Sequence, residues 1–454
     1  MKTFKKAFVA LAMMALTNVS NAAVSEAEAA KLGNSLTPLG GEAIGNAAGT
    51  IPSWTGGLTQ GPAGYTPGQP YLNPFEGEQP LFVIDKSNLE TYRANLTEGQ
   101  IALINSYPET FRIPVYKTHR SAASPNWIYR NVRQNAVTAK LLEGGVGLEG
   151  AYGGVPFPIP QSGLEAIWNH MLRYIGTHIT RTTADIAAQK NGNYMPTIID
   201  TNVFSAYNVE GKDASSMGSI LYYYIGIAKS PARMAGEAYL IHEPINQIAE
   251  PRLAWIYNPG QRRVRRAPTV AYDTPIGSSD GLRTSDDTDM FNGSPDRYEW
   301  KLIGKREVYI PYNSYQLLDK NLKYKDIIKP GHINPEFTRY ELHRVWEVEA
   351  TLKPTARHLY SKRKFYLDED SWSIASADLY DSRGDLWRTS VAHLVNYYNV
   401  PATLSSVDVF HDLQSRRYQA QGLANEQQDV IRFSTVAPDI GIYKPSNLKR
   451  ASGR

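Results

Sequence analysis

Nine histidines are the residues of this 454-residue chain best suited to hold a metal or carry a proton: His119, His170, His178, His242, His332, His343, His358, His393 and His411. None sits in the His-Glu-x-x-His arrangement that sets two imidazoles on one helical face. Glu165 and His170, five residues apart, fall on different sides of a helix, so no zinc site is expected there. No Gly-x-Ser-x-Gly elbow raises a serine nucleophile. Gly144-Gly145-Val146-Gly147 lacks both the preceding strand and the Lys-Ser/Thr of a phosphate loop, and reads as a plain loop. The acids Asp280, Asp286, Asp287 and Asp289 offer hard oxygens without the order or closing Glu of a calcium loop. A solvated loop between strands is expected for them. Asp368 and Asp370 flank a turn, where aspartates serve backbone hydrogen bonds. No catalytic residue, cofactor or metal is expected, and the chain does not read as an enzyme.

Binding is better supported. On a strand over 252–258, alternation sends Leu253, Trp255 and Tyr257 to one face. On a strand over 343–352, Trp346, Val348, Ala350 and Leu352 share a face while Glu347 and Glu349 point away. Leu253, Trp255, Tyr257, Trp346, Val348 and Leu352 are therefore the expected lining of a hydrophobic cavity. The same side chains would serve equally as core beneath helices. Arg262, Arg263, Arg265 and Arg266 flank Val264 on a short strand. They read either as contacts for anionic headgroups or an acidic partner, or as charges that keep an edge strand from pairing with another sheet. Trp54 lies in a Gly/Pro-rich stretch with no core of its own, so it must pack elsewhere, pinning that stretch over the cavity mouth.

The elements that position these residues follow from composition and period. Lys2, Lys5 and Lys6, an apolar run and Ser20-Asn21-Ala22 have the order of a secretory signal over 1–22, cut after Ala22. Its loss removes three of the 48 basic residues and none of the 44 acids, taking the net charge from +4 to +1. Nucleic acid is thereby a poor partner, no later run is long enough to cross a membrane, and a periplasmic site is expected. Zero cysteines exclude disulfides, thiolate metal sites and a lipidated cysteine, and 29 tyrosines favour half-buried strands. Residues 23–84 are crowded with Gly and Pro and read as an extended arm. Residues 85–174 read as a helical lid region, with helices over 86–107 (opened at Asp85), 128–142 and 164–174. From 175 to 404 the period becomes two, with short links between strands. This predicts one curled antiparallel sheet of about ten strands, a half-barrel in an α+β, mainly β fold. A helix over 405–424, with Val409, Leu413 and Leu423 on one face, and a tail to 454 complete the reading.

Several stretches resemble the domain of unknown function 1329 family, often labelled outer-membrane lipoprotein-sorting-like. They are Leu36-Thr37-Pro38-Leu39-Gly40, Ile51-Pro52-Ser53-Trp54-Thr55-Gly56-Gly57, Gly153-Gly154-Val155-Pro156-Phe157-Pro158-Ile159-Pro160, Glu165-Ala166-Ile167-Trp168-Asn169-His170 and Trp300-Lys301-Leu302-Ile303-Gly304-Lys305-Arg306. The likeness runs over essentially the whole mature chain. It implies a sheet like that of the lipoprotein carriers LolA and LolB, with helices as lid and an apolar cavity. Residues 253–264 are similar to a hairpin of that fold. The resemblance also implies a lipid or other hydrophobic ligand and, by the company such proteins keep, an exporter of the resistance-nodulation-division type or an outer-membrane protein as partner. It assigns no chemistry and no site residues.

Overall fold

The computed structural model describes residues 24–247, 249–267 and 272–453; the expected signal segment and its cut lie outside them. The first elements are short: α1 (Glu26–Ala29), β1 (Phe82–Ile84), α2 (Leu89–Tyr92), α3 (Glu98–Ser106), β2 (Ile113–Val115), α4 (Asn126–Thr138), a ribbon of β3 (Lys140–Leu141) with β4 (Leu148–Glu149), and α5 (Gly163–Leu172). The helix expected over 86–107 is broken in two. Leu96 and Thr97 are extended, and Thr97 caps a new start by accepting from the Gln100 amide while the Gln100 side chain returns to the Thr97 amide.

Two meanders follow. The first is β5 (His178–Ala188), β6 (Pro196–Ser205), β7 (Ile220–Ser230), β8 (Ala238–Pro244), β9 (Leu253–Asn258) and β10 (Arg263–Arg266). The second is β11 (Tyr298–Pro311), β12 (Tyr340–Leu352), β13 (Lys362–Asp368), β14 (Ile374–Tyr380), β15 (Leu386–Tyr397), β16 (Ala402–Asp412) and β17 (Arg417–Leu423). The short α6 (Tyr324–Ile327) lies between β11 and β12, while β18 (Arg432–Ser434) and α7 (Pro445–Ala451) end the chain. The meanders join where β17 pairs with β5, giving a 16-stranded sheet that ends on β10 at one side and on β11 and β1 at the other. Its pairings are antiparallel except where β2 meets β12.

The segment 405–424 is a correction: it forms β16 and β17, not a helix. Val407 and Val409 pack on one side of the sheet and Phe410 on the other. Burial on both faces rewards extended backbone there and overrides residues that would accept a helix.

The sheet curls, and α5 shows why it must. Ala166 and Ile167 pack with Val348 and Ala350 of β12, while Trp168 and Leu172 pack with Tyr207 and with Leu221 of β7. Eight strand spacings separate β12 from β7 in the sheet order, roughly 38 Å if flat. A ten-residue helix is only about 15 Å long, so it can touch both strands only if the sheet folds around it. Gly163 lets α5 seat closely: a Cβ there would stand 2.7 Å from the Lys301 backbone. The sheet is not closed, because β10 and β11 do not pair. No helix among the described residues is long and apolar enough to cross a membrane.

The arm is fastened rather than loose. The Trp54 indole donates to the Ala122 carbonyl, Trp372 to Leu39, and the Arg120 guanidinium to Glu42. Trp54 thus pins the arm to the segment leading into α4.

Candidate functional site

Directly paired residues share a face, so the registers sort side chains into inner (the side holding α5) and outer. Val348 pairs with Phe365, Phe365 with Ala377, Ala377 with Ser390, Ser390 with Phe410, Phe410 with Gln419 and Gln419 with Ala187. Along β5 the same face carries Asp185, Thr183, Arg181 and Ile179. From Ile179 the row continues through Val203, Tyr224 and Ile241, and from Arg181 through Thr201, Gly226, Tyr239, Ile256 and Arg265.

This separates the two aromatic sets expected to line one cavity. Trp346, Val348 and Leu352 are on the inner face, beneath α4 and α5. Val348 is fully buried, and Trp346 lies 6.2 Å from Trp372 with Lys305 Nζ 4.9 Å above it. Leu253, Trp255 and Tyr257 are on the outer face, because Trp255 pairs with Leu240 and Arg266. There Trp255 and Tyr257 pack beneath Tyr443 and Leu448 of the chain's end. The structure brings three of the six together with the inner core and two, Trp255 and Tyr257, with a separate outer cluster; Leu253 shares their face. The arginines divide too. Arg262 occupies the turn before the edge strand β10, Arg265 is inner, and Arg266 sits over the Trp255 ring.

The accessible apolar surface is on the inner face of the other meander. On β6 to β9 the outward Phe204, Ile225, Leu240 and Tyr257 are buried and the outward Tyr223, Ile227 and Trp255 pack against the cluster around Tyr443, whereas the inward Val203, Tyr224, Tyr239, Ile241 and Ile256 are half-buried and belong to no such cluster. Burial of the Tyr224 hydroxyl pushes its pKa up to about 12. Polar groups form one wall. Asp408, paired opposite Gln421, is an electrostatic neighbour of Arg181. Its Oδ1, the Ser405 hydroxyl and the Gln421 Oε1 are buried without a hydrogen-bond partner. Burial raises the Asp408 pKa to about 6.

The crossover segment 272–297 runs through the curl and fixes its other wall. The loop expected to be solvated is a correction at two of its four acids: Asp280 is exposed, while Asp286 and Asp287 are each 2% exposed. They clamp the fully buried Arg363 at 2.9 and 2.6 Å, because a guanidinium inside the sheet must be matched in charge. Further along, Asn292 takes the Tyr222 hydroxyl and the Arg252 guanidinium, so one segment ties β13 to β7 and to the start of β9. Burial works against the Asp289 carboxylate, but Arg173 at 2.7 Å outweighs it and holds the pKa below the usual range. Burial and the same guanidinium lower His170 to about 4. Both His170 ring nitrogens meet backbone groups, at Asp289 and Trp372, which gives this histidine a packing role.

Sequence reasoning missed Arg181, Tyr224, Ile241 and Asp408. The run Tyr222-Tyr223-Tyr224-Ile225 is apolar on both faces, so alternation alone does not say which face is covered.

The result is an open, curled sheet whose inner face carries apolar side chains and buried polar atoms without hydrogen-bond partners. The chain belongs to DUF1329, a protein family of unknown function whose model matches residues 83–449. A Pseudomonas aeruginosa protein described only as uncharacterised is 49% identical over 445 residues, 98% of this chain and 97% of that protein. Among solved structures, a Vibrio parahaemolyticus domain named for outer-membrane lipoprotein sorting matches at TM-score 0.40 and 15% identity, over 60% of this chain and 92% of its own. A LolA superfamily protein from Nitrosomonas europaea matches at 0.36 and 13%, over 62% and 97%. Scores this low leave the architecture resting on the chain's own strands.

Proposed function

We propose that this protein is a non-catalytic periplasmic carrier that takes an apolar or amphiphilic molecule into the inner recess of its open sheet. The observation behind the reading is the inward, half-buried set Val203, Tyr224, Ile241, Tyr239 and Ile256 in two adjacent rows, near Arg181, Asp408 and Gln421. An acyl chain or other flat hydrophobe laid against that set removes apolar area from water at about 25 cal/mol per Å². The polar wall supplies a cation and unpaired acceptors for a head group, so an amphiphile satisfies atoms that are otherwise left alone. The signal-like order of residues 1–22 supports the periplasmic compartment in this reading, and the cargo would pass to an envelope partner such as an exporter or outer-membrane protein.

The test is native mass spectrometry of protein purified from its own periplasm without detergent, followed by organic extraction. A reproducible adduct released as a lipid or other hydrophobe is the expected result. A clean apo mass, with no later uptake of fluorescent fatty acid or phospholipid, would overturn the carrier and favour an interaction module without cargo.

A further inference from the structure

The turn 368–373 closes β13 against β14, and its first carboxylate is only half used. Asp368 Oδ2 accepts from the Ser371 amide at 3.0 Å, the Ser371 hydroxyl at 2.6 Å and the Tyr312 hydroxyl at 3.1 Å. Asp368 Oδ1 is buried and receives no hydrogen bond. The neighbouring carboxylates are matched, Asp370 by Arg120, Glu369 by Arg344 and Lys305, and Glu341 by Arg339. Asp368 has no guanidinium or ammonium within ion-pair distance among the described residues; the basic group nearest it is His343, and Arg120 acts on it from farther away.

His343 Nδ1 stands 3.7 Å from that bare oxygen. This is too long for a hydrogen bond. It is close to the roughly 3.3 Å that separates two ligands held about 2.0 Å from one tetrahedral ion. Asp370 offers a third donor, and one ligand atom from each of His343, Asp368 and Asp370 lies within 4.8 Å of the others. All three residues are 4% exposed or less. The surrounding contacts are those that orient metal ligands. His343 Nε2 points its other side to Glu341 Oε2 at 3.3 Å, and its ring stacks on Tyr312 at 4.0 Å. Arg120 occupies both Asp370 oxygens, but each carboxylate oxygen keeps a second lone pair.

We propose that His343, Asp368 and Asp370 bind one divalent first-row metal ion, zinc or manganese by the mixture of imidazole nitrogen and carboxylate oxygen. The site is closed on every side by β12, the turn and the arm, so the ion is structural. It neutralises the one unmatched carboxylate at the place where the arm, through Arg120 and Leu39, is fastened to the sheet. The proposal does not depend on the carrier reading.

The experiment is elemental analysis of the full mature chain, purified without a metal-affinity column and dialysed against metal-free buffer, with thermal melts before and after stripping by a chelator. About one zinc or manganese per chain is expected, with a Tm that falls by several degrees on stripping and returns with the metal. Cobalt loaded into the stripped protein should give visible d–d bands. These should be lost in Asp368→Asn and His343→Gln while far-ultraviolet circular dichroism is kept. Less than about a tenth of an equivalent, with no Tm response of the stripped protein to zinc or manganese, overturns the proposal. So does wild-type stoichiometry in Asp368→Asn, which would place the ion elsewhere. Should the variants fail to fold, the cobalt spectrum of the wild-type protein decides: bands support the site, and their absence overturns it.

Discussion

Arg363 has no exposed surface, and its guanidinium is held by Asp286 and Asp287 with the rings of Phe291 and Tyr360 centred 5.4 and 4.8 Å away. Removing the cation strands two buried carboxylates. Arg363→Met should therefore cost about 3–5 kcal/mol of unfolding free energy in urea. A loss below about 1 kcal/mol would mean that the carboxylates find other partners. Asp408 makes the opposite case. Its folded pKa, raised to about 6 by burial, means that the folded protein holds a proton more tightly than the unfolded chain. Its contribution is therefore fully favourable below about pH 4 and is lost as pH rises through 6. Asp408→Asn, which never ionises, should be more stable than the parent by about 1–2 kcal/mol at pH 8 and nearly equal to it at pH 4. Melts of both proteins across that range measure the crossover, and a constant difference at every pH would contradict the assignment.

Strands β6 to β9 carry apolar side chains on both faces, and only the register tells which face is free. That yields a paired prediction. Ile241→Asp, on the inner face, should weaken binding of a fluorescent fatty acid at least about tenfold, since a carboxylate would have to be desolvated against the acyl chain. Trp255→Phe, on the outer face beneath the chain's end, should leave affinity within about twofold. Equal losses would return the site to the face that alternation in the sequence favoured. At the edge, β10 pairs only with β9 and its arginines are exposed. Replacing Arg263 and Arg265 by Val should produce concentration-dependent association in light scattering, as expected of an unguarded edge. A variant that stays monomeric at high concentration would leave the headgroup-contact reading of these arginines as the better one.

The whole molecule depends on α5, one short helix packed against two distant strands, β12 and β7, of a curled sheet. Trp168, 1% exposed, carries much of that bridge and donates its indole N–H to the Gly145 carbonyl. Trp168→Ala should cost about 3–5 kcal/mol through the cavity it leaves. Because the bridge sets the curl, it should also raise hydrogen exchange in β7 more than in β15. Uniform exchange would show that the crossover segment alone maintains the shape.

The sequence by itself determined the class: no cysteine chemistry, no nucleotide or serine-hydrolase motif, a Gly/Pro arm, and a long run of period-two strands joined by short turns. Local rules suffice for these, since a missing residue type or a two-residue period depends on nothing distant. The period-two stretch from 175 to 404 folded as strands, whereas 405–424 failed as a helix because burial on both faces, a property of the sheet, outweighed local helix preference. The tertiary structure alone decided which aromatics face inward, because that follows from register summed across a dozen pairings. It also decided that Asp286 and Asp287 are buried, because their partner Arg363 lies more than seventy residues away. The approach of His343 to Asp368 has the same origin: 25 residues apart in the chain, they meet because Val345 pairs with Asp368 across β12 and β13.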